Sequence, residues 1–360
     1  MLSDHALFQI FKLYELELSN RIVMAPLTRC RGGIGDCATA LQAEYYQQRA
    51  SAGLIISEAS QISQQGKGYL HTPGIYNQEQ ITGWKQTTEA VCKAKGKIFC
   101  QLWHVGRISH PSFQEYDKKP VAPSAIQPKG LILTESGMQE YVTPRALETN
   151  EIIGIIQQYV HAARCAKEAG FNGIEIHAAN GYLLDQFLRT SSNQRRDQYG
   201  GRIQNRIRLI VEVTEALTSI WPSHQIGIRL SPISTFNDMS DLTPMQTFSE
   251  LINVLNTLNL GYIHCIEGTA RENRSKAFDF VNLRRQFKGL YIANNMYTLD
   301  MARLAIDNKH ADLICFGRPF IANPDLVFRL QSNLTLIEAP KETWYGGNEV
   351  GYTDWPNALK

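Results

Sequence analysis

No run of about 18 apolar residues occurs anywhere in the chain, which excludes a membrane-spanning helix. The opening stretch, MLSDHALFQIFKLYELELSNR, carries charges through what would be the apolar core of a secretory signal, so a cytoplasmic protein without a membrane partner is expected. Net charge is scarce as well. The 36 basic and 34 acidic side chains leave +2, with the signs interspersed and no basic stripe to mark a nucleic-acid partner. The seven cysteines contain no C-x-x-C pair, which argues against a disulfide framework or structural zinc and for a reducing compartment. None of the nine histidines forms an H-x-H or H-E-x-x-H pattern, so no metal is expected. Also missing are a G-x-G-x-x-G after a strand and a G-x-x-x-x-G-K-[ST] loop, the usual dinucleotide and nucleotide-phosphate signatures.

What the chain does contain is eight short apolar runs separated by amphipathic segments. They are Arg21 to Pro26, Leu54 to Ala59, Lys97 to Leu102, Gly173 to His177, Ile226 to Ser231, Tyr262 to Glu267, Leu290 to Asn294 and Leu313 to Arg318. Near-continuous apolar strands of this kind belong to parallel sheets covered on both faces. Helices lie between them. Residues 150–169 place Ile153, Ile156, Val160 and Ala163 on one face and stop at Gly170, while Thr243-Pro244 and Asn323-Pro324 read as helix starts. Eight such units predict an α/β fold, a single (β/α)8 TIM barrel over residues 1–360, with an open doubly wound sheet as the alternative. Residues 7–19 are expected to form a hairpin closing the barrel floor. Residues 104–147 are too long and too rich in Pro, Gly and polar residues for an ordinary βα loop, and are expected to cap the catalytic face.

The chemistry gathers where strands end. After the fourth run, His177, Asn180 and Tyr182 bring an imidazole, a carboxamide and a phenol to one strand mouth. His177 and Asn180 can both donate to one ligand oxygen, and a phenol with an ordinary pKa of about 10 keeps its proton at neutral pH. A single His at a strand end is also a common structural residue, so the trio needs support from elsewhere in the chain. Alternation along IGIRLS turns Arg229 toward the barrel axis, where a guanidinium requires an anion, either Glu175, Glu267 or a ligand. Gln101 and Thr28 end their strands with groups suited to a flat heteroaromatic edge. Asn295 and the Gly317-Arg318 turn fall after strands seven and eight, where barrels commonly hold a phosphate. Together these describe a phosphorylated planar cofactor, and flavin mononucleotide (FMN) fits. A metal-dependent hydrolase, a lysine aldolase and a non-catalytic flavin-binding protein are the competing readings. The first two lack H-x-H ligands and a Lys in a late strand, and the third has no use for the trio.

RIVMAPLTR, EYYQQRAS, GLIISEAS, QLWHVGRISHPS, HAANGYLLDQFL with SSNQRRDQYGG, IRLSP, FGRPFIANPDL and EVGYTDWP run in order through nearly the whole chain. In these the sequence resembles the Old Yellow Enzyme family of FMN-dependent ene-reductases, in particular its bacterial N-ethylmaleimide and pentaerythritol tetranitrate reductase branch. The resemblance implies a flavin held by Pro26, Thr28, Ala59, Gln101, His177, Arg229, Asn295, Gly317 and Arg318, reduced by NADPH or NADH. It implies that His177 and Asn180 hold a substrate oxygen, that Tyr182 donates the proton, and that Tyr69, Trp103 and Tyr352 line the pocket. Substrates would be small electrophilic alkenes or nitro compounds, and the protein a monomer or weak homo-oligomer. The turn Ala293, Asn294, Asn295, Met296 departs from the family's glycine-containing turn, and it relies on the tolerance of Asn for positive φ.

Overall fold

All eight apolar runs become parallel strands, and they close on themselves. The computed structural model describes residues 4–268 and 278–358. Its barrel strands are β1 Ile22–Met24, β2 Leu54–Ile56, β3 Ile98–Trp103, β4 Gly173–Ala178, β5 Ile226–Leu230, β6 Tyr262–Ile266, β7 Leu290–Asn294 and β8 Leu313–Phe316. Each pairs with the next in parallel, and β8 returns to β1 with Ile314 opposite Ile22, which leaves no free edge. The ladder stops short of several expected strand ends. Pro26, Ala59 and the Gly317-Arg318 pair lie in the loops just beyond, on the face where a (β/α)8 barrel places its chemistry.

At the opposite end, strands Phe11–Leu13 and Leu16–Leu18 form the expected hairpin, in antiparallel register. Leu13 and Leu18 are buried against Val23, Leu54, Phe99, Tyr262 and Leu313, side chains from five barrel strands, so the hairpin plugs the floor. Between β3 and the helix Ile152–Glu168 the long insertion folds into a second antiparallel hairpin, Leu131–Thr134 with Gly137–Glu140, and a short parallel pair, Val121–Ala122 with Arg145–Ala146. From it Phe113, Ile132 and Tyr141 pack into one apolar cluster with Ala59, Trp103 and Tyr182. That cluster fixes the insertion over the mouth.

The helices correct three details of the sequence reading. In α3, Ile152–Glu168, the buried stripe is Ile152, Ile155, Ile156, Tyr159, Ala162, Ala163 and Ala166, whereas Ile153 is 57% exposed. The Ile-Ile pairs allow either of two neighbouring faces. Burying the Tyr159 ring selects the one rotated by about a residue. Helix α7, Pro244–Leu255, begins at its proline as expected, but Thr243 makes no side-chain cap bond. Asn323 does not cap a helix at all. Its side chain bridges the Pro319 and Ile337 carbonyls, and Asp325 occupies the cap position of α11, Leu326–Gln331, where it accepts from Arg329 Nε. Gly170, at φ +83°, does terminate α3 in the left-handed region.

Candidate active site

Strand alternation sends Glu175 and His177 of β4 toward the axis, with His177 opposite Arg229 of β5. Immediately after β4 the chain reverses through two left-handed residues, Asn180 at φ +59° and Gly181 at φ +75°. Only glycine suits position 181, because a Cβ there would lie 2.6 Å from Met239 Cγ and 2.9 Å from the Phe236 carbonyl. The loop after β5 holds this turn on both sides. Ser231 Oγ accepts from Asn180 N at 2.8 Å, and Asn237 Nδ2 donates to the Asn180 carbonyl at 2.8 Å. Asn180 Oδ1 is buried with no partner. The carboxamide is thus not tied down through its oxygen.

His177, Trp103, Tyr69 and Tyr182 form one aromatic group. The His177 and Tyr182 rings meet edge-on at 5.0 Å, Trp103 meets Tyr182 edge-on at 4.9 Å, and Tyr69 stacks on Trp103 at 5.4 Å. Tyr69 and Tyr182 share a hydroxyl–hydroxyl bond of 3.0 Å. Burial, and then the positive charge of Arg229, push the His177 pKa well below its ordinary value, so the ring is neutral. Its Nδ1 accepts from Ala179 N at 3.3 Å, which assigns the proton to Nε2. Burial raises the Tyr182 pKa, so the phenol is a stable proton carrier. The indole Nε1 of Trp103 is buried without a partner.

Beneath this roof the lumen holds charge. Arg229 is buried, and its pKa is lowered chiefly by burial. Among the described residues it makes no ion pair. Its Nη2 donates to Asn294 Oδ1 at 3.0 Å, and its Nε has no partner. Neither acid considered from the sequence neutralises it directly. Glu175 accepts instead from Gln101 Nε2 at 2.7 Å and pairs with His264 Nδ1 at 2.9 Å, while Glu267 accepts from Tyr291 and Tyr297 hydroxyls at 3.0 and 2.7 Å. A buried guanidinium left in this state calls for an anionic ligand.

The remaining expected residues fall in two places. Pro26 and Thr28 follow β1 and Ala59 follows β2; Glu58 ties the two loops by accepting from Arg29 N at 3.4 Å and from Gln42 Nε2 at 2.8 Å. Gly317 and Arg318 follow β8 and lead into α10, Pro319–Ala322. Asn295 adopts φ +109° and donates from Nδ2 to the Glu267 carbonyl at 2.9 Å. Tyr352 lies elsewhere. It stacks on Tyr45 at 4.1 Å, with the guanidinia of Arg29 and Arg31 4.8 and 4.3 Å from its ring centre, and among the described residues it makes no ring contact with the Trp103 group. The reason is that Arg29 and Arg31 bind the Gly351 and Val350 carbonyls and draw this segment inward. Tyr345, 53% exposed, is the C-terminal aromatic that lies near Tyr182.

Sequence reasoning passed over Asn237, His264, Glu58 and Tyr141, and placed Asn294 only in the turn after strand seven. The only signals were a buried acid inside LIISEAS and a histidine inside the apolar run YIHCI. Among the described residues, no group of three or more His, Cys, Asp or Glu is placed to hold a metal ion.

The family model described as NADH:flavin oxidoreductase / NADH oxidase family matches residues 6–336. The chain belongs to that family. It is 42% identical over 353 residues to 12-oxophytodienoate reductase 1 of Oryza sativa subsp. japonica, covering 96% of this chain and 91% of that protein. A protein of Leishmania infantum named as a probable flavin mononucleotide-dependent alkene reductase is 38% identical, with 94% of both chains covered. Among solved structures, morphinone reductase in complex with tetrahydroNAD superposes with a TM-score of 0.93 at 44% identity, covering 98% of this chain and 97% of that one. The family is FMN-dependent, and this chain is an oxidoreductase. The lumen fits the cofactor on its own terms, because Arg229 offers an unneutralised charge and a free Nε where an electron-accepting ring needs a cation. No helix among the described residues is long and apolar enough to cross a membrane.

Proposed function

We propose that this protein is an ene-reductase, which uses NADPH or NADH to saturate the activated C=C bond of α,β-unsaturated carbonyl compounds. The observation that carries the reading is the pairing of a buried Arg229 that makes no direct ion pair with a roof made of neutral His177, the Asn180 carboxamide and protonated Tyr182. Bound FMN would supply the two-electron chemistry, accepting hydride from the nicotinamide and delivering it to the β carbon of the alkene. Morphinone reductase, which holds tetrahydroNAD, supports the choice of reductant.

The chain's own groups do the rest. Arg229 stabilises negative charge on the reduced ring, in a site where burial strengthens its field. Gln101 Nε2 is occupied by Glu175, so Oε1 is what it offers the ring. Thr28, Pro26 and Ala59 would hold the ring edge, and Asn295, Gly317 and Arg318 would hold the phosphate. His177 Nε2 and the Asn180 amide hold the substrate oxygen and draw electron density from the β carbon, a type of stabilisation worth about 3 kcal/mol per good donor. Tyr182 gives its proton to the α carbon, and Tyr69, hydrogen-bonded to it, is placed to restore it. Trp103 and Tyr69 form the pocket wall. Nitro compounds present a similar pair of oxygens and serve as alternative acceptors. Residues 104–147 act as the cap of a single FMN-binding domain, and the seven unpaired thiols suit the cytoplasm.

Purified protein tests the reading directly. It should be yellow, lose its visible absorption under anaerobic NADPH, and regain it on addition of 2-cyclohexenone. Colourless protein that takes up no FMN, or a reduced form that the enone fails to reoxidise, would overturn it.

A further inference from the structure

Two layers of side chains cross the lumen under the site. In the upper layer His177, Arg229 and His264 are neighbours on adjacent strands; in the lower, Gln101, Glu175, Gly227 and Tyr262 are. Gly227 is required by the Tyr262 ring, since a Cβ there would lie 2.1 Å from it. Glu175 therefore lies one layer below Arg229 and diagonal to it on the neighbouring strand, yet both its oxygens are occupied by other donors, Gln101 at 2.7 Å and His264 at 2.9 Å. Burial pushes the Glu175 pKa up, but His264, Arg229 and Gln101 more than offset it, so the group is ionised. Burial, opposed by Glu175 and aided by Arg229, lowers the His264 pKa, and a neutral ring donating from Nδ1 orients the carboxylate without cancelling it.

We infer that Glu175, held by His264 and Gln101 one layer below Arg229, is the counter-charge that sets the reduction potential of the bound flavin. The inference rests on the FMN reading above and goes beyond it. A carboxylate in contact with Arg229 would neutralise it and leave little field for the ring. A carboxylate held back weakens the field only in part. Glu175 and His264 are positioning residues, because they act on the cofactor through Arg229.

Anaerobic redox titration of FMN-loaded protein distinguishes the outcomes. Glu175→Gln keeps the shape and removes the charge, so hydroquinone should be favoured on the order of tenfold, about 30 mV more positive for a two-electron couple. His264→Leu frees the carboxylate to pair with the unpartnered Nε of Arg229 and should move the potential the opposite way. His264→Gln, whose amide can still donate to the carboxylate, should return it toward the wild-type value. Stoichiometric FMN with the same potential in Glu175→Gln and wild type overturns the inference. If Glu175→Gln does not fold, equal potentials in the two His264 variants overturn it instead. Failure of the wild-type protein to take up FMN strikes the proposed function, which is a separate result.

Discussion

Arg49 and Arg229 are both buried guanidinia, and they are treated in opposite ways. Arg49 donates to the carbonyls of Tyr45, Phe320 and Ile321 at 2.8 Å each and to that of Tyr352 at 3.3 Å, with its Cζ 3.6 Å from the centre of the Tyr45 ring. Arg229 has one bond to a side-chain amide and an idle Nε. A guanidinium has five N–H donors, so saturation marks a structural role and shortage marks a place kept for something else. The same contrast separates Tyr46, whose hydroxyl accepts from Glu58 N at 2.7 Å and donates to its carboxylate at 3.4 Å, from Tyr182, whose hydroxyl meets another phenol at the mouth.

Several substitutions sharpen this contrast. The largest effect is expected from Tyr182→Phe, which removes the proton donor. Stopped-flow measurement of the two half-reactions should show enone reduction slowed by at least about 100-fold while NAD(P)H oxidation is nearly unchanged. An equal fall in both would assign the proton to another group. Next is Arg49→Met, which strands four carbonyls. Urea unfolding should show a loss of about 3 kcal/mol, and a loss below about 1 kcal/mol would mean that saturation does not indicate a structural role.

A smaller effect concerns pH. Burial lowers the His104 pKa from 6.5 to about 3, so between those values the unfolded chain binds a proton that the folded one refuses. Stability is full above the unfolded value and is lost as pH falls through this window. His177 and His264, also shifted down, act with the same sign. His104→Gln should flatten the decline of urea midpoint between pH 6.5 and pH 4, and an unchanged slope would contradict it. The smallest effect is at the C-terminal aromatics. Tyr345→Phe should alter the KM for bulky enones by a few-fold, while Tyr352→Phe should leave it alone, and the reverse pattern would return Tyr352 to the pocket.

How much of this was legible in the sequence follows from how far apart the interacting residues lie. The eight strands could be read because a parallel strand covered on both faces is a continuous apolar run, and the trio at His177, Asn180 and Tyr182 because a single turn carries all three. The stripe of α3 was misread at Ile153, since two adjacent isoleucine pairs make the faces equivalent until Tyr159 finds its place in the core. Tyr352 was misplaced because its position depends on Arg29 and Arg31, more than 300 residues earlier in the chain. His264 and Asn237 gain meaning only from partners on other strands and loops, Glu175 and Asn180, which no local pattern reveals.

The most direct test of Arg229 as a charge kept for the cofactor is FMN titration of apoprotein, wild type against Arg229→Met, with urea unfolding of both apoproteins in parallel. The account predicts FMN affinity lower by about 100-fold with little loss of apoprotein stability, because Arg229 makes a single hydrogen bond in the apoprotein and its desolvation cost is removed with it. Equal FMN affinity in the two proteins, or a stability loss matching that of Arg49→Met, would contradict it.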